Sequence, residues 1–263
     1  MEIITSKDNP IVKQICKLNK SARYRKSTGS FIAEGLRLTR DAVISECGVN
    51  YFVFSESSVK KYGSFFKECK DKFEKVYIFS DGVFSRITET STPQGVLACI
   101  KFLDKNSLFD KIRFGGKYIA LENLQDPGNM GTVFRTAEAM GIDGIVLAGN
   151  CCDVYSPKVV RSTMGAVFRL PFALIGSVKE FLTQFPQLCS YAAVVSGDAL
   201  RAGSFSFDPN SVCVIGNEAN GLSSEAISCC NSVVTIPMRG RAESLNAALA
   251  AGILIWEMMK DEQ

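Results

Sequence analysis

From Tyr118 to the C-terminus, apolar runs of strand length alternate with helical stretches, and this alternation constrains the fold more than any other feature of the chain. The strand-like runs are YIALENL, GIVLAG, YAAVVSG, VCVIG and SVVTIPM. Among and after them lie TVFRTAEAM, a helix around Val159 to Ala166, VKEFLTQF and SLNAALAAGILIWEMM. Parallel strands need crossover connections of helical length, whereas antiparallel strands are joined by short hairpins, so strands separated by helices predict a parallel sheet. Helices cover both faces of such a sheet, which is why its strands read as continuous apolar runs. The expected class is α/β, with a doubly wound parallel sheet whose ligands gather at the carboxyl ends of the strands.

The first hundred residues repeat the alternation on a smaller scale. A helix begins near Glu34, followed by YFVFS at 51–55, a helical stretch to about Phe73, VYIFS at 76–80, and a strand in STPQGVLACI at 91–100. A chain of 263 residues is long enough for two ordinary domains. The pattern predicts a small α/β domain over 1–102, a charged, glycine-bearing linker over 103–116, and the larger domain over 117–263.

Composition narrows the chemistry. The chain has no histidine, which removes the commonest general base, nucleophile activator and metal ligand together. Its ten cysteines show no CxxC spacing and include two adjacent pairs, Cys151 with Cys152 and Cys229 with Cys230. They read as reduced, buried, small apolar side chains of a cytoplasmic protein. Zinc held by cysteines distant in sequence is the alternative that this spacing disfavours. The longest charge-free apolar run, Ala247 to Trp256, falls far short of the roughly 20 residues a membrane span needs, so no membrane partner is expected. The net charge of +3 says little, but its distribution says more, because Lys7 to Lys26 holds seven basic residues and one acid. Ile11, Ile15 and Leu18 recur there at helical spacing, so the basic residues form either a solvated helix face or a nucleic-acid contact.

Three segments that follow strands carry the polar residues of interest. In LENLQDPGNMGTVFRTAEAMG (121–141), Pro127 and two glycines suggest a tight turn before a helix ending at Gly141. In VCVIGNEANGLSSE (212–225), Gly216 and Gly221 bracket a polar loop where a ligand can lie against bare backbone. In VTIPMRGRAESLNAALAAGI (234–253), a loop crosses Gly240 and Ser244 is the expected cap of an apolar, buried helix. Neither GxGxxG nor GxxxxGK[ST] occurs, so the dinucleotide and P-loop fingerprints are missing. Asn129, Arg135, Glu218, Ser244 and Asn246 nevertheless gather at the strand-to-helix turns on the ligand side, where a purely structural loop needs no such set.

These segments resemble, in order, the three motifs of the SpoU/TrmH branch of the SPOUT RNA methyltransferases: NLQDPGNMGTVFRTA (123–137), IGNEANGL (215–222) and IPMRGRAESLNAALA (236–250). Ala219 stands where the second motif often has glycine. The first domain resembles, more loosely, the L30e-like substrate-binding domain of that family, in FIAEG (31–35) and the closing PQGV. The resemblance implies a SPOUT domain threaded as a trefoil knot and a homodimer formed through the catalytic domain. It implies S-adenosylmethionine as cofactor, held by backbone near Gly216, Ile236, Met238 and Leu245. The implied reaction methylates a ribose 2′-hydroxyl, and the two-domain layout points to 23S ribosomal RNA as the partner.

Carried over by residue, the catalytic or supporting positions are Asn129, Arg135, Glu218, Ser244 and Asn246. The resemblance assigns Arg135 to deprotonating or stabilising the attacking hydroxyl. Because a guanidinium is a poor base in water, Arg135 either loses its proton in a dry, cation-rich site or, the favoured reading, stays charged and stabilises negative charge growing on the 2′-oxygen, with Glu218 orienting Arg135 or its surroundings and Ser244 and Asn246 fixing the ribose or cofactor. RNA is expected along the basic arm, on Arg23, Arg25 and Lys26, with Arg37 nearby. The alternatives are a transfer-RNA 2′-O-methyltransferase, a non-catalytic RNA-binding or ribosome-assembly protein on the same scaffold, and a nucleotide-dependent oxidoreductase, which lacks its fingerprint.

Overall fold

The computed structural model describes residues 2–103, 109, 112 and 115–260, so most of the expected linker lies outside the described residues. In chain order the elements begin β1 (Ile3–Ile4), α1 (Pro10–Lys20), α2 (Ala22–Thr28), β2 (Ser30–Glu34), α3 (Leu36–Ile44), β3 (Val49–Ser55), α4 (Glu56–Lys61), α5 (Gly63–Lys72), β4 (Val76–Phe79), α6 (Asp81–Ile87) and β5 (Val96–Lys101). They continue with β6 (Lys117–Glu122), α7 (Pro127–Met140), β7 (Gly144–Ala148), α8 (Pro157–Ser162), α9 (Ala166–Arg169), β8 (Phe172–Ile175), α10 (Val178–Gln184), β9 (Cys189–Ala193), β10 (Leu200–Arg201), β11 (Ser211–Ile215), α11 (Ser224–Cys229), β12 (Ser232–Thr235) and α12 (Ala247–Met259). They divide into two compact units, one of Met1–Leu103 with Tyr155–Phe168, the other of Asp104–Val154 with Arg169–Gln263.

In the first unit the sheet order is β1-β4-β3-β5-β2, with β5 antiparallel to both β2 and β3. Its core gathers Ile15, Leu18, Val53, Phe79, Phe84 and Leu97, all nearly or fully excluded from solvent. Helix α1 starts where local chemistry dictates. Asn9 accepts a hydrogen bond from the Ile11 amide at 2.9 Å, and Pro10 occupies the first turn, where its missing N–H is not needed. Its apolar stripe of Val12, Ile15 and Leu18 is buried, which turns Lys13, Lys17 and Lys20 outward. The Tyr155–Phe168 segment joins this unit through aromatic packing of Phe31 with Tyr155 at 4.9 Å between ring centroids, and with Phe168 at 6.3 Å.

The second unit has a seven-stranded sheet, order β10-β12-β9-β11-β6-β7-β8, and every pair in it is parallel. The chain steps outward from β6 to β7 and β8, then returns to lay β11 along the other side of β6. That reversal makes β6 and β11 neighbours, in register from Ser211 against Lys117 to Ile215 against Leu121, and brings the loops after them together. Buried Tyr118, Ala120, Val146, Val212, Val214 and Phe181 fill one face.

Three local expectations are corrected. The residues Pro127, Gly128 and Gly131 form no turn ahead of a helix; they are the first turns of α7, because Asp126 caps it, accepting from the Asn129 amide at 2.8 Å, and Pro127 sits at its first position. Its C-terminus is where glycine puts it, with Gly141 in the left-handed region at φ 84°. The single helix expected around Val159 to Ala166 is two, α8 and α9, separated by Met164 and Gly165 at φ 52° and 93°. Finally, α12 is capped by Asn246 and not by Ser244.

Candidate active site

The turns after β6, after β11 and before α12 are joined by a chain of side-chain hydrogen bonds. Asn246 donates through Nδ2 to Asn129 Oδ1 at 2.9 Å, and Asn129 donates through Nδ2 to Glu218 Oε1 at 3.0 Å. The same carboxylate accepts from the backbone amides of Asp126 at 3.0 Å and Gln125 at 3.2 Å. Three residues at sequence separations of 89 and 117 are thereby set in one line. Partial burial pushes the Glu218 carboxyl up, but the Asn129 amide and the Asp126 and Gln125 N–H groups outweigh it and hold the group below the usual carboxylate range. Glu218 is therefore committed to the first loop, and its oxygens bind that loop and not the Arg135 guanidinium.

Beside this line lies a cavity of about 380 Å³, within the range of small-ligand sites. Its walls are mainly apolar, with Ile215, Leu222, Val234, Ile236, Met238, Leu245 and Leu254 among them. It opens at the carboxyl ends of β9, β11 and β12, where a parallel sheet presents its ligand side. The four residues expected at the cofactor, Gly216, Ile236, Met238 and Leu245, all line it, as do Glu218 and Ser244. Gly216 has no alternative, because a Cβ there would lie 2.2 Å from the carbonyl carbon of Gly221. That close approach is made by a small reciprocal ladder in which Asn217 and Gly221 exchange N–H···O bonds at 3.0 Å. The Asn217 side chain tightens the turn further, accepting from the amides of Ala219 at 2.8 Å and Asn220 at 3.2 Å.

Other expected site residues fall elsewhere. Arg135 lies on the exposed side of α7, outside the cavity lining, and forms no hydrogen bond or ion pair among the described residues. In the first unit Arg23, Lys26 and Arg37 are exposed, but Arg25 is not. Its side chain is only 4% exposed, and its guanidinium donates to the carbonyls of Leu18 and of Asn19, the latter at 3.1 Å. Those carbonyls are orphans at the end of α1, so the reading of Arg25 as an RNA contact is corrected to that of a buried cap between α1 and α2.

Sequence reasoning passed over the residues that fasten the loops. Asn123, at φ 54°, accepts at Oδ1 from the Asn150 amide at 2.8 Å, and its carbonyl accepts from Asn217 Nδ2 at 2.8 Å. Glu122, 6% exposed, accepts from both the amide and the hydroxyl of Ser223 at 2.7 Å, closing the second loop from behind. Asp126 before Pro127 carried a readable cap signal; Asn123 and Glu122 carried none. Nearby thiols are held protonated: burial pushes Cys151 up to about 11 and Cys152 up to about 12, so neither offers a thiolate near neutral pH.

Comparison with known proteins agrees with this geometry. Residues 116–256 match the SpoU rRNA Methylase family, and residues 9–98 match the MRM3-like substrate binding domain. Across 98% of this chain and 99% of its own length, the 23S rRNA (guanosine(2553)-2'-O)-methyltransferase RlmP of Bacillus subtilis is 30% identical. An AdoMet-bound rRNA methyltransferase from Sinorhizobium meliloti superposes with a TM-score of 0.88 at 31% identity, over 100% of this chain and 98% of that one. The SpoU methyltransferase AviRb from Streptomyces viridochromogenes, in complex with AdoMet, gives 0.87 at 26% identity, over 97% and 98%. The sheet order, the apolar cavity at its carboxyl edge and the full-length matches lead to one conclusion: the chain belongs to the SpoU rRNA methylase family.

Proposed function

We propose that this protein transfers the methyl group of S-adenosylmethionine to a ribose 2′-hydroxyl of 23S ribosomal RNA. The observation that carries the reading is the hydrogen-bonded line Asn246–Asn129–Glu218 at the edge of the cavity walled by Gly216, Ile236, Met238 and Leu245. The cavity suits the cofactor: apolar walls exclude water, and the bare backbone at Gly216 admits close approach. When bound, S-adenosylmethionine supplies an electrophilic sulfonium methyl. The residues of the chain then have to bring a hydroxyl to it and stabilise the charge that grows on the attacking oxygen. Asn129 and Asn246, fixed against each other and by Glu218, orient the ribose, and Ser244 at the cavity wall adds a hydroxyl donor. Arg135, with no partner among the described residues, keeps its charge available for the 2′-oxygen as the hydroxyl proton passes to solvent water. The substrate class is supported by the names of the relatives and by the match of residues 9–98.

A homodimer through the second unit is part of this reading. It is supported by the outer face of α12, where Leu249 is 55% and Trp256 is 47% exposed along a shallow groove shared with Asn129, Thr132 and Thr136 of α7. The trefoil threading of the last strand, loop and helix is proposed on the motif resemblance, and a cytoplasmic location on the ribosomal substrate. Among the described residues no helix is long and apolar enough to cross a membrane.

Calorimetric titration with S-adenosylmethionine and S-adenosylhomocysteine tests the cofactor, and absence of binding to both refutes the proposal. Mapping 2′-O-methyl groups in ribosomal and transfer RNA from cells with and without the protein tests the substrate. A change confined to transfer RNA reassigns it. Light scattering on the full chain tests the dimer, and a monomer at micromolar concentration refutes that part.

A further inference from the structure

The loop between β12 and α12 carries charge that methyl transfer at Asn129, Arg135 and Glu218 does not use. Met238 and Ser244 both line the cavity, and the five residues between them, Arg239 to Glu243, are exposed and lie outside its lining, so the chain leaves the cavity wall and returns to it across this charged stretch. Arg239 and Arg241 are exposed and make no hydrogen bond or ion pair among the described residues. Among the surface cations of this unit, Arg169 pairs with Glu138 at 2.7 Å and Lys179 with Glu225 at 3.3 Å, whereas Arg135, like Arg239 and Arg241, has no partner among the described residues. Glu243, two residues beyond Arg241 and also exposed, pairs with neither loop arginine. Glu218, which lines the same cavity, is held by Gln125, Asp126 and Asn129.

Two free guanidinium groups beside a site for a sulfonium cation are out of place as cofactor contacts, because like charges at the mouth oppose the reacting centre of the cofactor. They suit an anion that arrives with the second substrate. A guanidinium presents a planar fork of N–H donors matched to phosphate oxygens, and it stays charged at every working pH. We infer that Arg239 and Arg241 form a phosphate clamp at the cavity mouth, holding the RNA backbone beside the target ribose. The inference rests on the methyltransferase reading and adds to it an RNA contact within the catalytic unit. Such a contact positions the strand at the reacting ribose, as phosphate contacts do, without reading its sequence.

The test uses the full chain, S-adenosylmethionine and transcribed 23S ribosomal RNA. RNA affinity is measured from 50 to 300 mM salt for wild type, Arg239→Ala/Arg241→Ala and Arg239→Lys/Arg241→Lys. Loss of two phosphate contacts on a single strand lowers the salt slope by about 1.4 and weakens binding at 0.1 M salt by roughly 25-fold. The lysine pair, which keeps the charge, is expected to recover most of the slope, and S-adenosylmethionine affinity is expected to stay within twofold in both variants. An unchanged RNA slope in the alanine pair overturns the clamp. So does a tenfold or greater loss of cofactor affinity with the RNA slope intact, which would assign the arginines to the carboxylate of the cofactor. Absence of cofactor binding by the wild-type chain instead overturns the methyltransferase reading itself, so the two failures are distinct.

Discussion

Asn246 performs two tasks that substitution can separate. Its Oδ1 caps α12, accepting from the amides of Ala248 at 3.0 Å and Leu249 at 3.2 Å, while its Nδ2 holds Asn129. Removing the cap in Asn246→Ala leaves two first-turn N–H groups without their acceptor. Leu249 is 55% exposed, so water replaces its bond, whereas Ala248 is 6% exposed and its bond is harder to replace. The expected loss is therefore near the middle of the range for N-caps, about 1 kcal/mol, or about 2–4 °C in Tm for a domain of this size. Asn246→Ser keeps a capping oxygen and loses only the donor to Asn129. Its stability should stay within about 0.5 kcal/mol of wild type. Its rate should not: an Asn129 freed from one of its two restraints no longer fixes the ribose, and a misplacement on the order of 1 Å costs up to about 10²-fold. We expect a loss of about tenfold or more in single-turnover methyl transfer to 23S ribosomal RNA at saturating cofactor, with melting followed on the same samples. A serine variant with wild-type rate would show that the link to Asn129 does nothing for catalysis. An alanine variant with wild-type Tm would refute the cap.

Four further outcomes are expected. Gly216→Ala forces a Cβ into the Gly221 backbone, so calorimetry should show S-adenosylmethionine affinity largely lost, and retained affinity would mean that the loop relaxes freely. Glu218 has a folded-state pKa below its ordinary value of 4.5, so its stabilising contribution is present above about 4.5 and is lost as the pH falls through the lower folded value; melting temperature between pH 5 and 3 should fall more steeply for wild type than for Glu218→Gln, and equal slopes would remove the link. Arg135→Ala should lose roughly 10² to 10³ in rate, as for one preorganised donor, with Tm unchanged because the side chain is exposed and unpartnered; Arg135→Lys should stay slow across pH 6 to 10, and recovery at high pH would favour a base mechanism instead. Arg23→Ala/Lys26→Ala should flatten the RNA salt slope at constant Tm, whereas Arg25→Ala should lower stability by about 2 kcal/mol through the unsatisfied Leu18 and Asn19 carbonyls; the reverse pattern would restore Arg25 to the RNA surface.

What the sequence determined by itself was local, or repeated along the chain. Strand-length apolar runs separated by helical stretches implied the parallel sheet, because each element must bury its own face whatever its neighbours do. The start of α1 at Asn9–Pro10 and the end of α7 at Gly141 follow from residues adjacent to those boundaries. The three polar segments were legible as ligand-side turns for the same reason, since a residue that follows a parallel strand stands at the carboxyl edge of the sheet. Tertiary structure alone decided which of these turns meet. Glu218 reaches Asn129 because β11 lies beside β6, and strand order is a property of the whole sheet that no window of sequence contains. Arg23, Arg25 and Lys26 are alike in a basic run, yet of the three only Arg25 meets the buried carbonyls at the end of α1 and is drawn inward. Tyr155–Phe168 sits within the span of the second domain but packs on Phe31, more than a hundred residues earlier. For Glu218 and for Tyr155–Phe168 the deciding partner is distant in sequence; for Arg25 it is only six or seven residues away, but the turn between α1 and α2 decides which basic side chain faces it, and in all three the packing of the folded chain makes a choice that local propensity does not encode.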